Sequence, residues 1–335
     1  MAATCVRRRT SNLSLPATNY YQLSVHLHRG RCPEQGVTTF EVKPTMRCAS
    51  LLTVVTVFCL LPRPVDGADE VFDSNGVKIR YVTEGKGEPI VLLHGWMSDS
   101  SMWGRLDTNP AAKEYQLIAV DLRGHGKSDK PHEPEKYGPE MAEDVVRLLD
   151  HLKLPKAHLV GYSMGAIVAG KVAATHPDRV LSVVYGGQAP ILTDKVKVDA
   201  REIELFAKAV EEGKDLGAYL LEVMPADRPK LTEEQAKALA KILYGAKDVK
   251  AFAAAGRGIK DLDVTADQLK KCKAQILFVH GSKEAASTKE RASAITKLLG
   301  RGEIKVIGGA DHMTTLTNPE FAKTIQEFLR ANKQK

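Results

Sequence analysis

One stretch of the chain has the residue types that nucleophilic catalysis needs, in a usable order: Gly161-Tyr162-Ser163-Met164-Gly165. It directly follows the apolar run Ala157 to Val160 and directly precedes a helical pattern opening at Ala166. A serine between strand and helix is held on a sharp, strained turn with its hydroxyl presented outward. Glycines on both sides let strand and helix approach without a clashing Cβ. The helix start adds free N–H groups and the positive end of a dipole, which suit a developing anion. A five-residue match of this kind recurs by chance, so its placement between strand and helix is what marks Ser163 as a candidate nucleophile. A serine hydroxyl is weak at neutral pH and needs a base beside it.

The elements able to position such a serine alternate along the chain from residue 69. Val71-Phe72, the turn signal Ser74-Asn75-Gly76, and Val77 to Val82 predict a hairpin. Short apolar runs follow at Pro89 to Leu93, Leu117 to Val120, Ala157 to Val160, Val180 to Tyr185 and Gln275 to Val279. Continuous apolar runs of this length suit parallel strands buried on both faces. Helical patterns at Met141 to Leu152, Ala166 to Thr175, Lys289 to Leu299 and Phe321 to Arg330 separate them. Such alternation predicts a parallel sheet covered by helices on both sides. Residues 190–265 break the rhythm. They contain no convincing strand and read as three or four amphipathic helices, including Arg201 to Val210, Leu216 to Val223 and Glu233 to Leu243.

In this setting the sequence resembles the α/β-hydrolase superfamily, in its capped, esterase-like serine-hydrolase branch. The resemblance covers roughly residues 71–331. It rests on Val91-Leu92-Leu93-His94-Gly95-Trp96, the turn Asp121 to Asp129, the Gly161 to Gly165 segment, and Gly309-Ala310-Asp311-His312, in that order. It implies a mostly parallel eight-stranded sheet flanked by helices, with a helical cap inserted after the sixth strand. The core is then residues 69–189 and 266–335, and the cap is 190–265.

The resemblance also implies roles. His312, on the loop after the strand Ile304 to Ile307, is the expected general base. Glu284 stands where the family usually carries Asp, in Phe278-Val279-His280-Gly281-Ser282-Lys283-Glu284, and is the expected orienting acid. Its extra methylene has to be absorbed by the loop. Asp311 and Asp194 are its rivals, although Asp311 adjoins the histidine and is expected to point elsewhere. The expected oxyanion donors are the backbone N–H groups of Met164 and Trp96. Trp96 is also expected to wall the substrate pocket, whereas Trp103 is expected only to pack. His94 and His125 are expected to fix loop backbone, and His151, His158 and His176 to pack or meet solvent. The carboxylates and Arg123 of the Asp121 turn are expected to make structural hydrogen bonds.

Composition bounds the rest. The 335 residues are 43% hydrophobic and 27% charged, which excludes a mainly disordered or fibrous chain. The net charge is +7, but residues 1–68 hold 8 Lys and Arg against 3 Asp and Glu, leaving the body at only +2. A near-neutral body carries no electrostatic footprint for nucleic acid. Met46-Arg47, the apolar run Cys48 to Leu61 and the small-residue end Asp66-Gly67-Ala68 describe a signal peptide, with residues 1–45 an upstream extension of the true start. The run is too short to span a bilayer comfortably, so no integral membrane domain is expected in the body, and export to the periplasm or medium is. Four of the five cysteines lie in this leader; only Cys272 is in the body, so no disulfide is expected there. No cluster has metal-ligand spacing, and Gly85-Lys86-Gly87 lacks the phosphate-loop pattern, so no metal or cofactor is implied.

The expected function is a serine hydrolase acting on a small carboxylic ester through an acyl-enzyme. The charged cap points to a closed pocket for a small acyl group. Other serine chemistries of the fold compete: thioesterase, lactonase, carbon–carbon bond hydrolase and perhydrolase. Epoxide hydrolases and haloalkane dehalogenases of this superfamily use an Asp nucleophile, and residue 163 is Ser. A rival from another class is a catalytically silent small-ligand binding protein on the same fold.

Overall fold

The computed structural model describes residues 68–193, 200–224 and 230–334. The expected leader lies outside these residues except for Ala68, and Asp194 lies outside them too. The described chain opens with the predicted hairpin, β1 (Ala68–Ser74) and β2 (Val77–Glu84). Asn75 and Gly76 turn it with φ of 56° and 81°, the positive pair that matches strand twist in a two-residue loop.

Six further strands complete one sheet: β3 (Glu88–Leu93), β4 (Tyr115–Val120), β5 (Ala157–Tyr162), β6 (Val180–Gly186), β7 (Gln275–Gly281) and β8 (Glu303–Ile307). Their spatial order is β1-β2-β4-β3-β5-β6-β7-β8. β2 runs antiparallel to both neighbours, and every pairing from β4 to β8 is parallel. The chain therefore reverses direction of travel across the sheet beside β3 and β5, and their carboxyl ends lie next to each other. That is where open α/β sheets build their sites. β5 is buried along its whole length, His158 included, as a central parallel strand requires.

Helices α1 (Pro139–His151) and α2 (Met164–Thr175) cover one face. Residues from β1 to β7 and both helices share that core. On the other face α10 (Pro319–Ala331) buries Phe321, Ile325, Phe328 and Leu329 against Ile90, Leu92, Val160, Val184 and Leu277. Both α1 and α10 begin at a proline, two residues before the apolar periodicity starts. A proline at the first helical position costs no hydrogen bond, and polar first turns are invisible to an apolar pattern.

Between β6 and β7 the chain leaves the sheet. α3 (Arg201–Glu211), α4 (Leu216–Val223), α5 (Glu233–Tyr244) and α6 (Val249–Gly258) follow, then the short α7 (Ala266–Lys271). Phe206, Tyr219, Leu220, Ala240 and Phe252 form a separate small core there. Among the described residues of this region, only Leu192 and Val264 pair as strand, in a single bridge. α8 (Ala286–Leu299) and α9 (His312–Thr317) close the list of helices. Among the described residues, no helix is long and apolar enough to cross a membrane. Cys272 is a buried free thiol.

Candidate active site

Ser163 caps α2 with φ 54° and ψ −119°, a conformation that L-residues adopt only when their surroundings enforce it. The enforcement is local. Its N–H donates to Gly186 O at 2.8 Å, and its carbonyl accepts from Ala166 N at 3.0 Å. A Cβ on Gly161 would stand 2.2 Å from Gly165 O, and one on Gly165 would stand 2.1 Å from Leu93 O. Backbone meets backbone at both positions, so both must be glycine. The helix starts at Met164, two residues earlier than the apolar pattern suggests, because the strained serine itself is the cap.

His312 begins α9, and its Nε2 lies 3.0 Å from Ser163 Oγ. Its Nδ1 lies 3.1 and 3.2 Å from the two carboxylate oxygens of Glu284. A carboxylate can only accept here, so the imidazole carries its proton on Nδ1 and offers Nε2 to the serine hydroxyl. Burial acts to lower the His312 imidazole, but the hydrogen bond and charge of Glu284 outweigh it, and the net direction is upward. The Glu284 carboxylate is buried and folds back over the start of α8, where Ala285 N donates to it at 3.2 Å. A tight turn, with Glu284 N donating to Gly281 O at 3.1 Å, draws the longer side chain back into reach.

The rival acid Asp311 points away, as expected. Its carboxylate caps α9, accepting from Met313 N at 3.0 Å and Thr314 N at 2.8 Å. α9 itself was not foreseeable from periodicity. Its six residues carry no apolar stripe, and this cap holds them.

The loop after β3 runs against the serine. A Cβ on Gly95 would stand 3.3 Å from Ser163 Cβ. Among the described residues, the backbone N–H groups of Trp96 and Met164 donate to no protein acceptor. One histidine and an aspartate hold this loop. His94 Nε2 accepts from Leu122 N at 3.0 Å, so its Nδ1–H donates to Gly95 O at 2.7 Å. Burial depresses the His94 imidazole, and pushes His125 down to about 3, so both are neutral packing groups at physiological pH. Asp121 accepts from Ser100 N at 2.7 Å and Lys127 N at 2.8 Å, which ties the loop to the turn after β4. Arg123 is buried in a bidentate pair with Asp144, both contacts at 2.6 Å. The Asp121 turn is thus structural, as expected.

Trp96 extends from this loop into the cap. Its Nε1 donates to Phe252 O at 2.8 Å, and its ring meets Phe206 edge-on at 5.4 Å. Trp103 packs with the second core cluster, as expected. His158 is buried against Ser182 Oγ at 2.7 Å, His151 stacks on Phe72, and His176 pairs with Glu143 at the surface. Among the described residues, no group of His, Cys, Asp and Glu could hold a metal ion.

Two residues beside the site were not singled out from sequence. Tyr162, the buried neighbour of Ser163, donates from Oη to the main-chain oxygen of His312, and the two rings lie 5.5 Å apart. A large hydrogen-bonding aromatic inside the serine turn was the available signal. Glu202 of α3 adds its negative field at His312. Nothing local distinguished it from the other cap carboxylates.

A family model described as alpha/beta hydrolase fold matches residues 88–319. The chain is similar to an epoxide hydrolase of Caballeronia sordidicola, 31% identical over 174 residues, 52% of this chain and 51% of that one. It thus spans about half the length of that relative. It is also similar to the 2-(acetamidomethylene)succinate hydrolase of Mesorhizobium japonicum, 30% identical over 278 residues, 79% of this chain and 98% of the relative. A carboxylesterase structure from the thaumarchaeon Nitrososphaera gargenis superposes with a TM-score of 0.65 at 20% identity, covering 79% of this chain and 98% of that one. At that identity the likeness shows the fold. The sheet order, the strained serine turn and the matched segment lead to one conclusion: the chain belongs to the alpha/beta hydrolase fold family.

Proposed function

We propose that the chain is a serine hydrolase that cleaves small carboxylic esters. The observation that carries this reading is the continuous hydrogen-bonded line from Glu284 through His312 to Ser163. Ser163 Oγ attacks the ester carbonyl while His312 Nε2 takes its proton. The N–H groups of Trp96 and Met164 receive the oxyanion, which matches their lack of a protein acceptor. Collapse expels the alkoxide, which leaves with the proton from His312, and the acyl group remains on Ser163. Water, deprotonated by His312, then releases the acid. Glu284 holds the imidazole tautomer throughout and offsets the positive charge that forms on it.

Similarity to an epoxide hydrolase does not carry that chemistry here, because epoxide hydrolases of this superfamily attack with Asp and residue 163 is Ser. Export is part of the proposal. The run Cys48 to Leu61 followed by Asp66-Gly67-Ala68 supports it, and an amino terminus near residue 69 on protein recovered from an expressing cell tests it.

Hydrolysis of p-nitrophenyl esters of increasing acyl length, by wild type and Ser163→Ala, tests the activity. Ser163→Ala is expected to lose about 10⁴-fold or more in kcat, with thermal unfolding within a few degrees of wild type. Activity retained above about a hundredth would overturn the nucleophile assignment.

A further inference from the structure

Among the described residues, the non-glycine positions with positive φ are Asn75, Met97, Lys153 and Ser163. Two are explained where they stand. Asn75 turns the first hairpin. Lys153 ends α1, where Leu154 N closes back on Leu149 O at 2.8 Å. The other two lie side by side. Met97 is two residues past Gly95, where an added Cβ would stand 3.3 Å from Ser163 Cβ. Met97, at φ 62°, is the third residue of the turn 95–98, which Ser98 N closes by donating to Gly95 O at 3.2 Å. That place in a turn favours glycine or asparagine, and a bulky side chain there is strained. Such strain persists only where the surroundings enforce it.

The enforcement comes from the cap. The Met97 side chain packs on the small core of α3 to α6, and so does Trp96. Trp96 Nε1 donates to Phe252 O in α6. Asp99 pairs with Lys247, just ahead of α6, at 3.5 Å. The sheet side holds the same loop at His94, through Leu122 N.

The group this turn aims is the Trp96 N–H. In a trans peptide the carbonyl and the N–H point in opposite directions, so whatever fixes Gly95 O also fixes the Trp96 N–H. Gly95 O accepts from two donors, His94 Nδ1 at 2.7 Å and Ser98 N at 3.2 Å. The second donor is in place because the turn closes through Met97. Relaxation of Met97 to negative φ turns over the peptide next to this N–H and changes the dipole beside it.

We infer that Met97 is a positioning residue: its left-handed backbone, held by the cap, keeps the Trp96 N–H aimed at the oxyanion. The cap then acts on the chemical step itself. This inference rests on Ser163 as the nucleophile and on the Trp96 N–H as an oxyanion donor.

The test is a substitution series in the full chain, with each rate taken per Ser163 labelled by a fluorophosphonate. Met97→Ala removes the grip on the cap and keeps the strain, and is expected to lower kcat about tenfold with KM unchanged. Met97→Gly removes both grip and strain, and is expected to recover most of that loss. Met97→Asn, which tolerates the left-handed region, should follow glycine, and Met97→Val should fall below alanine. The inhibition constant of a trifluoromethyl ketone carrying the same acyl group should rise in step with the loss of kcat/KM, because its adduct places an oxyanion in the same hole. If Met97→Val does not fold, asparagine against alanine decides. Glycine no better than alanine, or a raised KM at constant kcat, would overturn the inference. If wild type hydrolyses no ester, the ester reading fails alone, and the same order is read from the rate of fluorophosphonate labelling. A different order there, or no labelling of wild type, overturns the inference as well.

Discussion

The serine turn and the cap solve opposite problems. At the turn, main chain touches main chain: Gly161 against Gly165, and Gly165 against Leu93. No side chain intervenes, so the geometry admits almost no variation. In the cap, contact runs through rings. Phe206 gathers Trp96, Tyr219 and Tyr244, and the indole of Trp96 hangs on one carbonyl of α6. Ring-to-ring packing tolerates volume-conserving change. The difference teaches where substitution is tolerated: the turn admits almost none, and the ring-packed residues of α3–α6 admit changes that keep their volume.

Breaking the turn side of this comparison has the largest expected effects. Glu284→Gln should lower kcat roughly a thousandfold, because the wrong tautomer of His312 then faces the serine, whereas Asp311→Asn should cost less than about threefold. Steady-state kinetics of the two variants check this, and a reversed order would mean that the acid is misassigned. Gly165→Ala drives a methyl into the Leu93 carbonyl and should destabilise the fold by about 4 kcal/mol or leave it insoluble, read by urea unfolding.

On the cap side, Phe206→Ala removes a fully buried ring and should cost about 3 kcal/mol. Hydrogen exchange should localise the loss to α3–α6 while β5 and α2 stay protected. Tyr162→Phe sharpens the contrast at its smallest scale. Loss of one hydrogen bond to the His312 main chain should lower kcat about tenfold or less with KM unchanged.

The pH dependence follows from His312. Its raised value means that the imidazole stays protonated, and useless as a base, to a higher pH than an ordinary histidine at 6.5. The acid limb of kcat/KM is therefore expected above 6.5, and Glu284→Gln should move it to lower pH while the rate falls. A limb that stays in place would separate Glu284 from the imidazole it faces.

Much of this was legible in the sequence because it is local. The β5 run, the glycines around Ser163 and the turn at Asn75-Gly76 each state their geometry within a few residues. Glu284 and His312 were legible only through resemblance, since nothing along the chain links residues 28 apart to each other. α9 was hidden because a six-residue helix held by the Asp311 cap has no apolar period. Tyr162 was hidden because its partner lies 150 residues away. The Arg123–Asp144 pair is the intermediate case: the turn announced structural hydrogen bonds, and only the packing of α1 supplied the partner.

The most direct measurement of the central claim is covalent. A fluorophosphonate ester added to the full chain should give one adduct, located by peptide mapping on Ser163, formed faster as pH rises through the His312 titration, and missing in Ser163→Ala. No adduct on folded protein, or an adduct on another residue that persists in Ser163→Ala, would contradict the account.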